Sequence, residues 1–370
     1  GLEFVSSMVS VKGQSVPCIL RNITTEPVTI PKRSEIAQLE VGVVESPLSP
    51  PREESSNWRD QLDLSSSELS ESEKSAVLSL LSKYENMLDG SLGFTTLVEH
   101  HIDTGSSAPI RFSARRVPPF LQGKVKAELD RMVKAGILEE NFGSYWGSPI
   151  CIVHKKDGSV RICADLRKIN AVTKIPAYAI PRVDSLLDSL GGNSLFCVLD
   201  LKQCYYQIGL SPSSRDKSTV VTPFGSYRHK RLCLGLNGAP MTCARLLDLI
   251  LRDLPKDTAI AYFDDILLGG KSFPELLAKL ELVLKRLKDA GLTINLGKCA
   301  LFQKSVKFLG HVVSAEGVSV DPSKVETVKC WPVPRTVKQL ATFLGMASYM
   351  RKHVKDFALI AAPLPVRINR

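Results

Sequence analysis

The chain has 370 residues, 44% hydrophobic and 23% charged, which excludes a wholly disordered or fibrous protein and leaves room for two or three compact units. Its net charge of +10 is uneven: residues 52–100 hold ten acidic and four basic side chains, leaving about +16 elsewhere, a surplus that favours a polyanionic partner. The nine cysteines, none in a Cys-x-x-Cys pair, are expected to be reduced core residues, and no apolar run nears the roughly 18 residues that span a bilayer, so no membrane partner is expected.

Residues 8–45 alternate apolar and polar positions around turn formers (Val16-Pro-Cys-Ile-Leu20, Pro27-Val-Thr-Ile-Pro31), which predicts a small β segment over residues 1–45. Residues 46–75 are rich in Ser, Glu and Pro and poor in large apolar side chains, the composition of a flexible, disordered acidic linker. Within the following lead-in, residues 76–110, an amphipathic run over 76–88 is opened by a capping box at Ser70 and Glu73. A helix over 124–138 places Val125, Leu129, Met132 and Val133 on one face and stops at Gly136. Strands are then expected over 149–154, 160–165, 195–200 and 259–268, and helices over 183–190, 239–254 and 274–290. The order is α+β, with no repeated βαβ unit. Beyond Asp321 the pattern is mainly helical, broken by Trp331-Pro-Val-Pro334. The chain opens on Gly1 and is expected to be part of a larger product.

Chemistry concentrates at two strand ends. The run 195–199 is continuously apolar, as a strand covered on both faces should be, and ends in Asp200. A second apolar run, 259–263, ends in Asp264 and Asp265 and continues at once into Ile266-Leu-Leu-Gly-Gly270, the pattern of a hairpin with an acidic tip. An isolated Asp-Asp more often marks a solvated turn. Here a third carboxylate ends a neighbouring strand, and carboxylates crowded on greasy strands repel unless a cation joins them. Nucleotide transfer to a 3′-hydroxyl needs such cations: one lowers the pKa of the hydroxyl, the other holds the triphosphate and the leaving pyrophosphate. Asp200 and Asp264 would bridge two ions with Asp265 in support, and Mg²⁺ suits a few carboxylates plus phosphate and water oxygens.

Several stretches resemble the motifs of Ty3/Gypsy-type retrotransposon reverse transcriptases. Val198-Leu-Asp-Leu-Lys-Gln-Cys-Tyr-Tyr-Gln-Ile208 is similar to their first aspartate motif, and Tyr262-Phe-Asp-Asp265 to their Tyr-x-Asp-Asp box. Arg161-Ile-Cys-Ala-Asp-Leu-Arg-Lys-Ile-Asn170 resembles the fingers motif, and Leu234-Gly-Leu-Asn-Gly-Ala-Pro240 the template and nucleotide motif. Gly291-Leu-Thr-Ile-Asn-Leu-Gly-Lys298 and Phe308-Leu-Gly-His311 resemble the last palm segment and primer grip, and Trp331-Pro-Val-Pro-Arg-Thr336 with Phe343-Leu-Gly345 the thumb.

The resemblance implies a right-hand polymerase whose antiparallel palm sheet packs on helices. Fingers would span 111–190, palm 191–310 with a fingers insertion near 211–230, and thumb 311–370, stopping before connection and RNase H; the protease would lie upstream of residue 1. It makes Asp200, Asp264 and Asp265 metal ligands, joined by the backbone carbonyl of Leu201, with two Mg²⁺ ions and Mn²⁺ able to substitute. Lys298 would protonate the departing pyrophosphate. Lys155, Lys156, Arg161, Tyr205, Gly235 and Pro240 would bind the nucleotide, with Tyr205 as a steric gate against ribonucleotides. Phe308, Leu309, Gly310 and His311 would grip the primer. The implied partners are an RNA template, a DNA primer/template duplex, dNTPs and other Pol or Gag segments, in an intracellular, cytoplasmic virus-like particle with nuclear entry.

This sequence departs from the family at Gln203-Cys204, where Ser-Gly is usual, and at Leu232, Cys233, Leu234 and Gly238 of the nucleotide motif. These changes lie near the nucleotide and supply the alternative reading, a nucleic-acid-binding remnant without turnover. Asp103-Thr-Gly-Ser-Ser107 imitates the aspartic-protease signature, but no buried strand leads into it, and it better fits the lead-in to the fingers.

Overall fold

A computed structural model of the chain describes residues 2–5, 19–22, 57–154, 158–178, 183–188, 191–255 and 257–364. The chain divides into two units, Gly1–Leu48 and Ser49–Arg370. In the first, β1 (Leu2–Val5) and β2 (Ile19–Asn22) pair antiparallel with Leu2 opposite Asn22.

The second unit opens on α1 (Trp58–Gln61), where the Asn57 side chain accepts from the Arg59 N–H, and α2 (Glu71–Ser82). The capping box is present: Ser70 Oγ accepts from the Glu73 N–H, and the Glu73 carboxylate accepts from the Ser70 N–H at 2.8 Å. The linker reading is corrected from residue 57 onward. Trp58 is 5% exposed within the largest core, and Leu62, Leu64 and Leu69 pack against it. A few apolar side chains suffice there because they cover an existing core instead of building one. The rest of that segment, 46–56, lies outside the described residues.

Next come β3 (Thr95–His100) and α3 (Pro119–Lys134), which starts on a proline suited to a first helical turn and ends before Gly136, at φ +64°. Leu138, expected at the end of that helix, instead begins β4 (Leu138–Glu140). Then follow β5 (Ser148–His154), β6 (Val160–Ala164), α4 (Arg167–Val172), α5 (Val183–Asp188), β7 (Leu195–Asp200), β8 (Ile208–Leu210), α6 (Pro212–Arg215), β9 (Val220–Thr222) and β10 (Gly225–His229). One sheet has the order β4-β10-β9-β5-β6. The apolar face of α3 (Val125, Leu129, Met132) packs with Ile150, Ile162 and Tyr227 of that sheet. β3 pairs in parallel with β8.

The remaining elements are α7 (Ala239–Leu251), β11 (Ile260–Tyr262), β12 (Asp265–Gly270), α8 (Phe273–Asp289), β13 (Ala300–Gln303), β14 (Ser305–Phe308), β15 (His311–Ser314), β16 (Gly317–Val320), α9 (Pro322–Lys329), α10 (Val337–Tyr349) and α11 (Phe357–Ala361). A central antiparallel sheet runs β11-β12-β7-β13. One set of its side chains (Cys197, Leu199, Ile266, Leu268) packs with Leu246 and Leu247 of α7 and Leu280 and Leu284 of α8. The alternate set (Phe196, Val198, Leu267) packs with Val306 and Phe308. Burial on both faces explains why 195–199 reads as an unbroken apolar run. Four of the eight described cysteines are buried and three are half-buried; Cys330 is exposed, which corrects the core expectation for it. No helix among the described residues is long and apolar enough to cross a membrane.

Candidate active site

The register of the central sheet builds the site. β7 and β12 pair so that Asp200 stands directly opposite Asp265. β12 is joined to β11 by a turn of two residues, Phe263 and Asp264, with Tyr262 opposite Asp265. So tight a hairpin favours positive φ, and Phe263 adopts φ +57°, a strained choice for a residue with a Cβ. The turn is held from three sides: the Leu201 N–H donates to the Asp264 carbonyl at 3.0 Å, the Cys243 thiol to the Phe263 carbonyl at 3.2 Å, and the Tyr262 ring meets the Phe263 ring edge-on at 4.4 Å. The Asp200 carbonyl accepts from the Asn295 N–H at 2.8 Å.

Electrostatics follow from the crowding. The Asp265 carboxyl is pushed up to about 6, first by burial and then by the charges of Asp264 and Asp200. Asp200 is also raised, chiefly by burial and further by Asp264, against the opposing pull of Lys298, whose ammonium lies 3.8 Å from Asp200 Oδ2. Two half-buried carboxylates facing each other with raised proton affinity, and a third exposed beside them, fit a hard divalent cation. Among the described residues no group of three or more His, Cys, Asp or Glu side chains forms a ready-made metal site.

The other expected site residues fall in several places. Leu201 is buried beside Asp200. Tyr205 lies on a 3₁₀ turn (Cys204–Gln207) entered through Gln203 in the left-handed region. It is half-buried against the main core, and its hydroxyl is raised to about 12 by burial and then by Cys243 and Asp264. Gly235 takes φ +98°, and a Cβ there would lie 3.5 Å from the Ala164 carbonyl of β6. Pro240 occupies the first turn of α7. Arg161 is exposed on β6 opposite Val153, whereas Lys155 and Lys156 lie outside the described residues.

Phe308 and His311 are the last paired residues of a hairpin whose two-residue turn is Leu309 (φ +49°) and Gly310 (φ +74°). Phe308 is buried with Tyr262 and Val198, and His311 stacks near Tyr349, whose hydroxyl donates to the Leu309 carbonyl. Asp103 accepts from the Gly105 N–H in a local turn, and its backbone pairs with that of Lys174 in an isolated antiparallel β-bridge. The sequence reading did not single out Asn170, His100 or Cys243. Asn170 ends a quoted motif, a usable signal; the other two carry none.

Residues 153–313 match the reverse transcriptase (RNA-dependent DNA polymerase) family. The chain is 33% identical over 304 residues to the retrovirus-related Pol polyprotein from transposon 297 of Drosophila melanogaster, covering 80% of this chain and 29% of the relative. It is 34% identical over 283 residues to that from transposon gypsy of the same organism, covering 74% and 27%. Among solved structures it resembles the foamy viral protease-reverse transcriptase in complex with dsDNA, with TM-score 0.75, 24% identity, and coverage of 85% of this chain and 66% of that one. The same protein in complex with an RNA/DNA hybrid gives TM-score 0.72 at 24% identity, covering 85% and 42%.

The α+β fold with its paired-aspartate turn is thus that of a polymerase of the reverse-transcriptase class. Residues 153–313 carry the match to the reverse transcriptase family, and most of the chain is similar to part of retrotransposon Pol polyproteins. It spans less than a third of the length of the curated relatives it matches.

Proposed function

We propose that this chain extends a primer 3′-hydroxyl with dNTPs, copying RNA and DNA templates by a two-metal-ion mechanism. The observation that carries the reading is the direct opposition of Asp200 and Asp265 across β7 and β12, with Asp264 in the adjoining turn. Bound Mg²⁺ would supply Lewis acidity at the primer hydroxyl and at the triphosphate. The protein's part is to hold three carboxylates, two of which, Asp200 and Asp265, have a raised proton affinity that marks an unmet demand for cations. Lys298 neutralises part of that charge at Asp200, and its exposed ammonium is a candidate donor to the leaving pyrophosphate. Tyr205 limits the space beside the incoming sugar, and Arg161 is a candidate phosphate contact. The Phe308–His311 turn, packed on the same sheet, is the candidate primer contact.

The departures from the family pattern are accommodated, which favours turnover over a binding remnant. The Cys204 thiol meets that of Cys243 at 2.7 Å in the buried core, and Gly238 leaves space that the His100 ring takes up. The test is extension of an oligo-dT primer on poly-rA with Mg²⁺. Template-dependent dTTP incorporation is expected; tight binding of the same duplex without extension would select the remnant instead.

A further inference from the structure

The loop from β10 to α7 carries Gly235 and leads into Pro240 in the first turn of α7, and two residues from distant parts of the chain fix its shape. The first is Asn170, in the last turn of α4. Its side-chain amide donates to the Gly235 carbonyl at 2.7 Å, and its Oδ1 accepts from the Asn237 N–H at 3.1 Å. The Asn237 side chain donates back to the Asn170 carbonyl at 3.3 Å. Both ends of one amide are used, a pattern that neither a carboxylate nor an aliphatic side chain reproduces. What is held is a backbone at φ +98°, which has no repeating ladder of its own to support it.

The second is His100, at the end of β3 and 5% exposed. Its Nδ1 lies 2.8 Å from Thr242 Oγ1, and the Thr242 hydroxyl donates to the Gly238 carbonyl at 3.2 Å. The hydroxyl has one proton, so with that proton on Gly238 it accepts from His100, which places the ring hydrogen on Nδ1. The same ring fills the space above Gly238: a Cβ at 238 would stand 3.0 Å from His100 Cε1. Gly238 itself has φ −81°, a conformation any residue adopts, so its small size answers to the His100 ring and not to backbone strain.

We propose that Asn170 and His100 are positioning residues that hold residues 235–238 in one shape and thereby set the affinity for the incoming nucleotide. The inference rests on the polymerase reading of the site for its kinetic consequence. The geometry of the clamp is independent of that reading.

The experiment combines kinetics with amide hydrogen exchange. Asn170→Ala removes two hydrogen bonds to the loop and is expected to raise KM for dNTP about tenfold with kcat changed less than about twofold. Duplex affinity and melting temperature should stay near those of the parent, which separates positioning from general destabilisation. Gly238→Ala is expected to raise KM several-fold by displacing the His100 ring, and to add little once His100→Ala is present, a non-additive double-mutant cycle. In the protein without nucleotide, Asn170→Ala should speed exchange of the Asn237 amide about tenfold. Unchanged exchange and unchanged KM in Asn170→Ala would overturn the proposal, as would additivity of Gly238→Ala and His100→Ala. A parent chain that fails to extend primers at all would sink the polymerase reading, while the exchange measurement would still decide the clamp.

Discussion

At the scale of single residues, Tyr205 is where function and packing compete most directly. Its ring is half-buried against the main core yet close enough to Asp264 for that charge to raise its hydroxyl pKa. A gate works by collision with a 2′-hydroxyl, so Tyr205→Ala should raise the ratio of rNTP to dNTP incorporation by about tenfold or more. Loss of a merely structural ring would depress both substrates together through instability. Single-nucleotide incorporation of each substrate, with thermal melting alongside, distinguishes the two; an unchanged ratio in a folded variant would remove Tyr205 from the site. The three aspartates were legible in the sequence because each ends or turns an apolar run. Phe263 in the left-handed region, the Cys243 thiol beneath it and the Asn170 clamp were not. Their contacts join residues 20 and 65 positions apart, and no local pattern encodes such pairs.

At the scale of elements, the pairing of β7 with β12 buries the Asp265 carboxyl and sets it beside two like charges. A carboxyl raised to about 6 in the folded protein binds a proton more tightly there than in the unfolded chain. Stability therefore falls as pH rises from about 4 through about 6, and the penalty is fully present above that. Asp265→Asn should relieve it, raising stability at pH 7.5 by about 1 kcal/mol once solvent screening of a half-exposed group is allowed for, with little effect at pH 4. Urea unfolding of parent and variant at the two pH values, without divalent ions, checks this; equal differences at both would contradict a penalty on the charged Asp265 carboxylate. The strands and long helices of this region were readable from periodicity: α8 buries Leu276, Leu280, Val283, Leu284 and Leu287 along one stripe. Composition misled at α1, where the single buried Trp58 anchors a segment otherwise written in linker residues. β4 was hidden because its three residues are too short for alternation to show, and their strand character comes from pairing with β10.

At the scale of the whole molecule, a basic chain of net charge +10 gathers three aspartates at and beside the turn that joins β11 to β12. Duplex affinity should come from basic side chains spread over the surface and turnover should require the aspartates, so the two properties are separable by one substitution. The direct measurement is Asp264→Asn, followed by primer extension on poly-rA with Mg²⁺ and by duplex binding at the same ionic strength. The account predicts extension reduced at least about a thousandfold, with binding within about twofold of the parent. Extension at near the parent rate, or loss of duplex binding in proportion to activity, would contradict it.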